Sequence, residues 1–186
     1  MTTSLRSGWL VLLCLLSWPG AAQQFDPAHT RFDFEVRTRW NQRVPGVFPQ
    51  YQGEVARLAD GRRQVSISLA TAAVEVADSP RYTAMARGEG FFNAARHPLI
   101  HFVSEPIIDA VLHDGGPLRG RLSINGVTRM ETFTLRPSEC QRPGLECDVV
   151  AQGTVDRDNY GLEGWQFALR NQVRFNLRVR MRDGRQ

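Results

Sequence analysis

Apolar and polar residues alternate one by one along much of this 186-residue chain. Between Arg31 and Trp40, the residues Phe32, Phe34, Val36 and Trp40 fall on one face, and Arg31, Asp33, Glu35, Arg37 and Arg39 on the other. Near the C-terminus Val173, Phe175, Leu177, Val179 and Met181 alternate with Arg174, Arg178, Arg180 and Arg182. A period of two predicts antiparallel strands with one dry face and one wet face. A slip of one residue would bury a row of arginines, so the register of both strands is firmly set.

The same reading predicts six further strands, near residues 47–58, 65–76, 99–112, 118–125, 127–136 and 147–156. Turn signals separate most of them: Asp60-Gly61, Asp114-Gly115-Gly116-Pro117, Asn125-Gly126 and Pro143-Gly144. Pro106 interrupts the fourth of the eight strands and marks a bend or bulge. Residues 79–90, with Tyr82, Met85 and small neighbours, predict a short helix instead. The chain shows no internal repeat, low-complexity tract or linker. Eight strands paired in order, with a dry inner face, tend to close, because closure removes exposed edges. A barrel of that size is filled by side chains or holds one small ligand. The pattern leaves a filled core, a hollow barrel and a two-sheet sandwich all open.

The first residues change the picture of where the chain resides. Arg6 precedes an apolar run over residues 9–16, and Pro19-Gly-Ala-Ala22 offers small residues before a cut. This predicts a signal peptide over residues 1–22, an exported domain over 23–186 and a periplasmic location. The run is shorter than the roughly 20 residues of a membrane-spanning helix, and a retained anchor is the alternative. Cleavage would remove Cys14 and leave Cys140 and Cys147 on either side of a Pro143-Gly144 turn. In an oxidising compartment such a pair predicts a disulfide, and two cysteines are too few for a structural zinc site.

Charge narrows the partners. The formal net charge is +4, and every basic residue is arginine, with no lysine. These arginines are spread over many strands and interleaved with acids, unlike the clustered stripe of a nucleic-acid binder. The chain therefore predicts no nucleic-acid partner.

Candidate chemistry is sparse. There is no Gly-x-Ser-x-Gly elbow, glycine-rich phosphate loop or His-Glu-x-x-His motif. His97 and His101 are four apart on a predicted strand, but no third metal ligand is nominated by the sequence. Asp156-Arg157-Asp158, beside Asn159 and Gly161, reads as a charged turn. No catalytic residue, metal ligand or cofactor is assigned. What remains is the apolar face of the strands: Phe32, Phe34, Val36, Phe48, Tyr51, Val65, Ile67, Leu69, Ile100, Phe102, Leu122, Ile124, Phe133, Phe175 and Leu177. These either fill a core or wall a ligand cavity, which is typically apolar with a few placed polar groups.

Two stretches carry a resemblance. They are Glu89-Gly-Phe-Phe-Asn-Ala-Ala-Arg-His-Pro-Leu-Ile-His-Phe102 and Gly120-Arg-Leu-Ser-Ile-Asn-Gly-Val-Thr-Arg129, supported by Phe25-Asp-Pro-Ala-His-Thr30, Gly46-Val-Phe48 and Asp156-Arg-Asp-Asn-Tyr-Gly161. In this order the chain resembles the YceI-like family of periplasmic polyisoprenoid-binding proteins. The resemblance implies an eight-stranded, lipocalin-like barrel with a long apolar tunnel that binds an isoprenoid such as a quinone or polyprenyl phosphate, without chemistry. It implies that Phe91 and Phe92 lie where a covering segment meets the cavity. Arg87, Arg96 and Arg129, nearest the matching motifs, are the candidates for an oxygen-bearing head group. Transient membrane contact and a homodimer are compatible with it. Ala84-Met-Ala-Arg-Gly-Glu89 departs from the family pattern, which implies a different ligand length or head group, or a partly filled cavity. The rival readings are an enzyme acting on such a lipid, and a filled barrel whose arginine-studded outside meets an acidic protein.

Overall fold

The computed structural model describes residues 22–183. The predicted leader lies outside the described residues. The chain forms one curled antiparallel sheet in the order β1-β4-β5-β7-β8-β9-β10-β11-β2-β3-β6. The long strands are β2 (Arg31–Thr38), β4 (Tyr51–Arg57), β5 (Arg63–Ala70), β7 (Leu99–Ser104), β8 (Gly116–Ile124), β9 (Val127–Leu135), β10 (Val149–Asp156) and β11 (Leu169–Val179). The short β1 (Gln23–Gln24), β3 (Arg43–Val47) and β6 (Glu75–Val76) complete it, with helices α1 (Pro80–Arg87) and α2 (Ala110–Asp114).

The eight predicted strands thus become eleven, and the differences have local causes. The predicted strand at 99–112 ends at Ser104: Pro106 lacks the N–H a ladder needs, and α2 follows. The predicted strand at 65–76 stops at Ala70, where a 3-10 turn (Thr71–Ala73) intervenes before β6. Trp40 was expected on the buried face of the first strand. That strand ends at Thr38, Asn41 takes a positive φ of 66°, and the turn throws Trp40 outward to 71% exposure.

Curling brings the first and last long strands together. β2 pairs with β11, matching Phe34 with Phe175 and Phe32 with Leu177, so both arginine rows face out as the alternation predicts. The strand β1 pairs with β4, while Phe25 bridges Met181 just past β11. The Asp26 N–H donates to Arg180 O at 2.7 Å, stitching that seam. At Asn125-Gly126, both residues carry positive φ, 49° and 78°, the geometry of a two-residue hairpin turn matched to strand twist.

The interior is layered. Six phenylalanine rings run across the middle of the barrel: Phe92 to Phe48 (5.4 Å between centroids), Phe48 to Phe34 (5.3 Å), Phe34 to Phe175 (6.2 Å), Phe175 to Phe133 (6.3 Å) and Phe133 to Phe102 (5.3 Å). Glycines make room for them. A Cβ on Gly153 would lie 2.5 Å from Phe133, and one on Gly120 would lie 2.6 Å from Phe102. The two rings therefore pack directly on bare backbone, recovering contact that a glycine strand would otherwise lack.

The opposite end is stapled. Cys140 and Cys147 form a disulfide with Cα atoms 6.2 Å apart. Their loop returns to the barrel where the Met181 N–H donates to Gly144 O.

Candidate functional site

The aromatic layer leaves two apolar cavities. Three strands give the same axial order. On β11, Val173 and Phe175 line the upper cavity, and Leu177 and Val179 the lower. On β10, Val155 lies above and Ala151 below, with Gly153 between. On β8, Ile124 lies above and Leu118 below, with Gly120 between. The upper cavity measures about 230 Å³ and the lower about 60 Å³. A broader groove of about 1360 Å³ follows the outer seam, but its rim is largely polar, with Gln24, His29, Arg31, Gln52, Glu54 and Asp148 among its residues. A dry ligand has more to gain in the upper cavity.

Three sequence motifs meet around that upper cavity. The segment with Phe91 and Phe92 follows α1, whose N-terminus is capped by Ser79 accepting from the Tyr82 N–H at 3.4 Å. Phe92 is buried against Phe34 and Phe48, Phe91 is half-buried, and both line the cavity. The β8–β9 turn packs Gly126 on the His97 ring, where a Cβ would come within 2.8 Å. Asn125 Nδ2 donates to Tyr160 O at 3.2 Å, and Arg129 Nε to Asn159 O at 2.9 Å, tying this turn to residues Arg157–Tyr160.

Arg157 is the feature the sequence reading missed. Asp156-Arg157-Asp158 does form a turn, with Asp156 accepting from the Asp158 N–H at 3.0 Å and Gly161 closing it at φ 66°. Yet Arg157 is only 3% exposed, and among the described residues it is the one ionisable cation lining the upper cavity. Its Nη2 donates to Gly164 O, its guanidinium sits 5.5 Å from the Phe91 ring centroid, and its Nε is 3.9 Å from Asp158 Oδ1. Among the described residues that Nε finds no hydrogen-bond partner. Burial lowers the Arg157 pKa from its ordinary value, while Asp158 and Asp156 oppose the shift. A guanidinium has five N–H donors, so this one retains capacity for an acceptor.

Tyr160, fully buried, also lines the cavity and donates from its hydroxyl to Glu131 Oε1 at 2.8 Å. Burial first, then the bond to Glu131, raises its pKa.

The remaining sequence candidates divide clearly. Phe34, Val36, Phe91, Phe92, Ile124 and Phe175 line the upper cavity, and Val65, Ile67 and Leu177 the lower. Phe32, Phe48, Leu69, Ile100, Phe102, Leu122 and Phe133 are buried in the core and line neither. Tyr51 lines the outer groove and donates to Thr30 O at 3.2 Å. Arg87 donates to Val74 O at 2.9 Å, Arg129 is held by Asn159, and Arg96 is exposed; none of the three lines the cavity. His101 Nδ1 meets Ser68 Oγ at 2.9 Å on the outer face. Among the described residues no three His, Cys, Asp or Glu side chains cluster as a metal site.

The fold and its interior define an antiparallel barrel with a lidded apolar pocket. The YceI-like domain family matches residues 23–181, and the chain belongs to that family. It is similar to the UPF0312 protein SAS2572 of Staphylococcus aureus, with 22% identity over 146 residues, covering 74% of this chain and 80% of that protein. Among solved structures, BcnA of Burkholderia cenocepacia matches with a TM-score of 0.69 at 15% identity, over 83% of this chain and 98% of that one. A polyisoprenoid binding domain from Saccharophagus degradans, implicated in plant cell wall breakdown, matches with a TM-score of 0.64 at 10% identity, over 86% and 96%. At those identities the likeness to solved structures is one of fold.

Proposed function

We propose that the protein binds an isoprenoid-like lipid, such as a quinone or polyprenyl phosphate, and carries it without chemical change. The observation that carries this reading is an apolar cavity with one buried, incompletely bonded cation. The polyisoprenoid-binding neighbour supports the ligand class. A cavity of ~150 Å³ holds benzene; on that scale the upper cavity of about 230 Å³ takes roughly nine carbons, or about two isoprene units. It is too small for a long chain. The cavity therefore takes one end of the ligand, against Phe34, Phe92 and Phe175 with an oxygen within reach of Arg157, and the remaining chain leaves through the mouth. Each methylene buried contributes about 0.8 kcal/mol. The reading also places the domain in an oxidising compartment, the periplasm, after removal of residues 1–22; the Cys140–Cys147 disulfide fits that location.

Native mass spectrometry of the purified protein should show a co-purifying lipid or uptake of an added short-chain quinone. Absence of both would sink the binding reading. Arg157→Met should weaken quinone uptake by about tenfold or more, since a hydrogen bond to a charged group contributes roughly 1.5–3 kcal/mol. The same change should also lower thermal stability, because it leaves Gly164 O without its guanidinium donor and removes the cation from beside Phe91 and Asp158, so uptake is compared at a temperature where the variant is folded. Unchanged uptake would remove Arg157 from the site. Conversion of bound lipid to a new mass would favour an enzyme.

A further inference from the structure

The exposed aromatic side chains of the described residues all gather at one place. Trp40 (71% exposed), Tyr82 (45%), Trp165 (40%) and Phe167 (72%) come from three separate segments: the β2–β3 turn, helix α1 and the loop before β11. The first three line the upper cavity at its mouth. Phe167 stacks on Trp165 with ring centroids 5.5 Å apart. The loop that presents the pair is held in shape. Trp165 takes a positive φ of 58°, its carbonyl accepts from the Ala168 and Leu169 N–H groups, and Arg39 Nε donates to Gln166 O at 3.0 Å. Four large, mainly apolar rings held in water by defined backbone forgo the gain that burial would bring. Contiguous patches of this kind mark interaction surfaces.

The charges beside the aromatics identify what covers them. Arg39 and Trp40 are adjacent in the chain, as are Arg81 and Tyr82, and Arg170 follows Leu169 of the cavity wall. All three arginines are exposed, and among the described residues none of them pairs with a carboxylate. Arginines without a carboxylate partner, such as Arg119, Arg121 and Arg174, stand on the barrel wall too, but among the described residues it is at the mouth that such arginines adjoin exposed tryptophan and tyrosine. Glu163 is the acid carried by the mouth loop itself. Tryptophan and tyrosine are favoured at the boundary of head groups and acyl chains, with an apolar body and a polar tip. Arginine beside them matches lipid phosphate.

We propose that the cavity mouth docks on a membrane surface containing anionic phospholipid, with Trp40, Tyr82, Trp165 and Phe167 at the head-group boundary and Arg39, Arg81 and Arg170 on the phosphates. Docking in this orientation opens the apolar cavity toward the bilayer. It is independent of which molecule the cavity takes, because it is read on vesicles that contain no isoprenoid.

The test is flotation of the purified protein with vesicles of phosphatidylcholine alone and of phosphatidylcholine mixed equally with phosphatidylglycerol. The protein should float with the anionic vesicles, less so with the neutral ones, and the difference should shrink in high salt as exposed charges are screened. Tryptophan fluorescence should shift to the blue on docking. Trp40→Ala with Phe167→Ala should reduce partition by tenfold or more, and Arg39→Gln with Arg81→Gln and Arg170→Gln should abolish the preference for anionic vesicles. Circular dichroism of each variant verifies that it is folded. No flotation of the wild type, or equal flotation of the aromatic variant, overturns the proposal. A concentration-dependent dimer that disappears in the Trp40→Ala/Phe167→Ala variant overturns it too, because a second copy would then cover the patch.

Discussion

The two ends of this barrel bury similar apolar strands but are closed by different means. At the lower end the cavity is about 60 Å³, a disulfide holds the covering loop, and Met181 packs under Gly144, where a Cβ would come within 2.6 Å of its Cε. Helix α2 is pinned there by a two-pronged contact from Arg63 to Asp109, at 2.6 and 3.2 Å. At the upper end the cavity is about 230 Å³. Its cover is helix α1 and two loops, joined by backbone contacts such as the Gly164 N–H to Gly90 O at 2.7 Å. Covalent and ionic closure at one end, with lighter closure at the other, gives the barrel a single working mouth. The same side-chain chemistry inside yields a packed base and a hollow top because the Phe102–Phe133 layer divides them.

The most disruptive test of that division is to remove the layer. Phe133 rests on Gly153 and touches Phe102 and Phe175, so Phe133→Ala should destabilise the protein by about 3–5 kcal/mol in urea unfolding. The deleted ring should also join the two cavities. Prenyl quinones with more isoprene units should then gain affinity over short ones, which the wild type does not favour. Phe133→Leu, a milder change, keeps the test open if the alanine variant fails to fold. Equal chain-length preference in wild type and a folded variant would show that the layer is no barrier.

Removing the disulfide comes next in size. The chain-entropy account of so short a loop gives about 2–3 kcal/mol, so Cys140→Ala/Cys147→Ala should lose about that much stability. Short-chain quinone uptake at the other end should be unaffected. If uptake falls in step with stability, the two ends are coupled and the contrast between them fails.

How much of this was legible in the residues depends on range. Period-two alternation gave β2 and β11 with their faces, and Asn125-Gly126 gave the hairpin between β8 and β9, because both signals are local. The placement of Trp40 failed, since a turn residue two positions past a strand end no longer obeys the strand's alternation. The burial of Arg157 was invisible for a related reason. A charged triplet beside glycine has the composition of an exposed turn, and only the packing of Phe91 and Gly164, distant in sequence, covers it. The filled middle of the barrel was equally out of reach: alternation places Phe102, Phe133 and Phe175 inside but does not say that their rings meet. Gly120 and Gly153, set opposite those rings, are the signal in the sequence that points to close packing there. Trp165 and Phe167 lie in a segment without strand periodicity, so pattern reading passed over them.

The smallest effect belongs to the ion pair at the base. The Arg63 hydrogen bond is the main cause that lowers the Asp109 pKa from its ordinary value of 3.8, against a smaller opposing effect of burial. A carboxylate whose folded pKa lies below its unfolded one stabilises the fold above the unfolded value. That contribution fades as pH falls through the depressed folded value. Wild type should therefore lose more stability than Asp109→Asn as pH drops below about 4. Asp109 is half exposed, so the pair should be worth less than about 1 kcal/mol in a double-mutant cycle with Arg63→Gln. Urea midpoints measured across that range check both statements. Parallel acid slopes for wild type and Asp109→Asn would mean that the contact contributes nothing to closing the base. The disulfide loop and the packing of Met181 would then account for the difference between the ends.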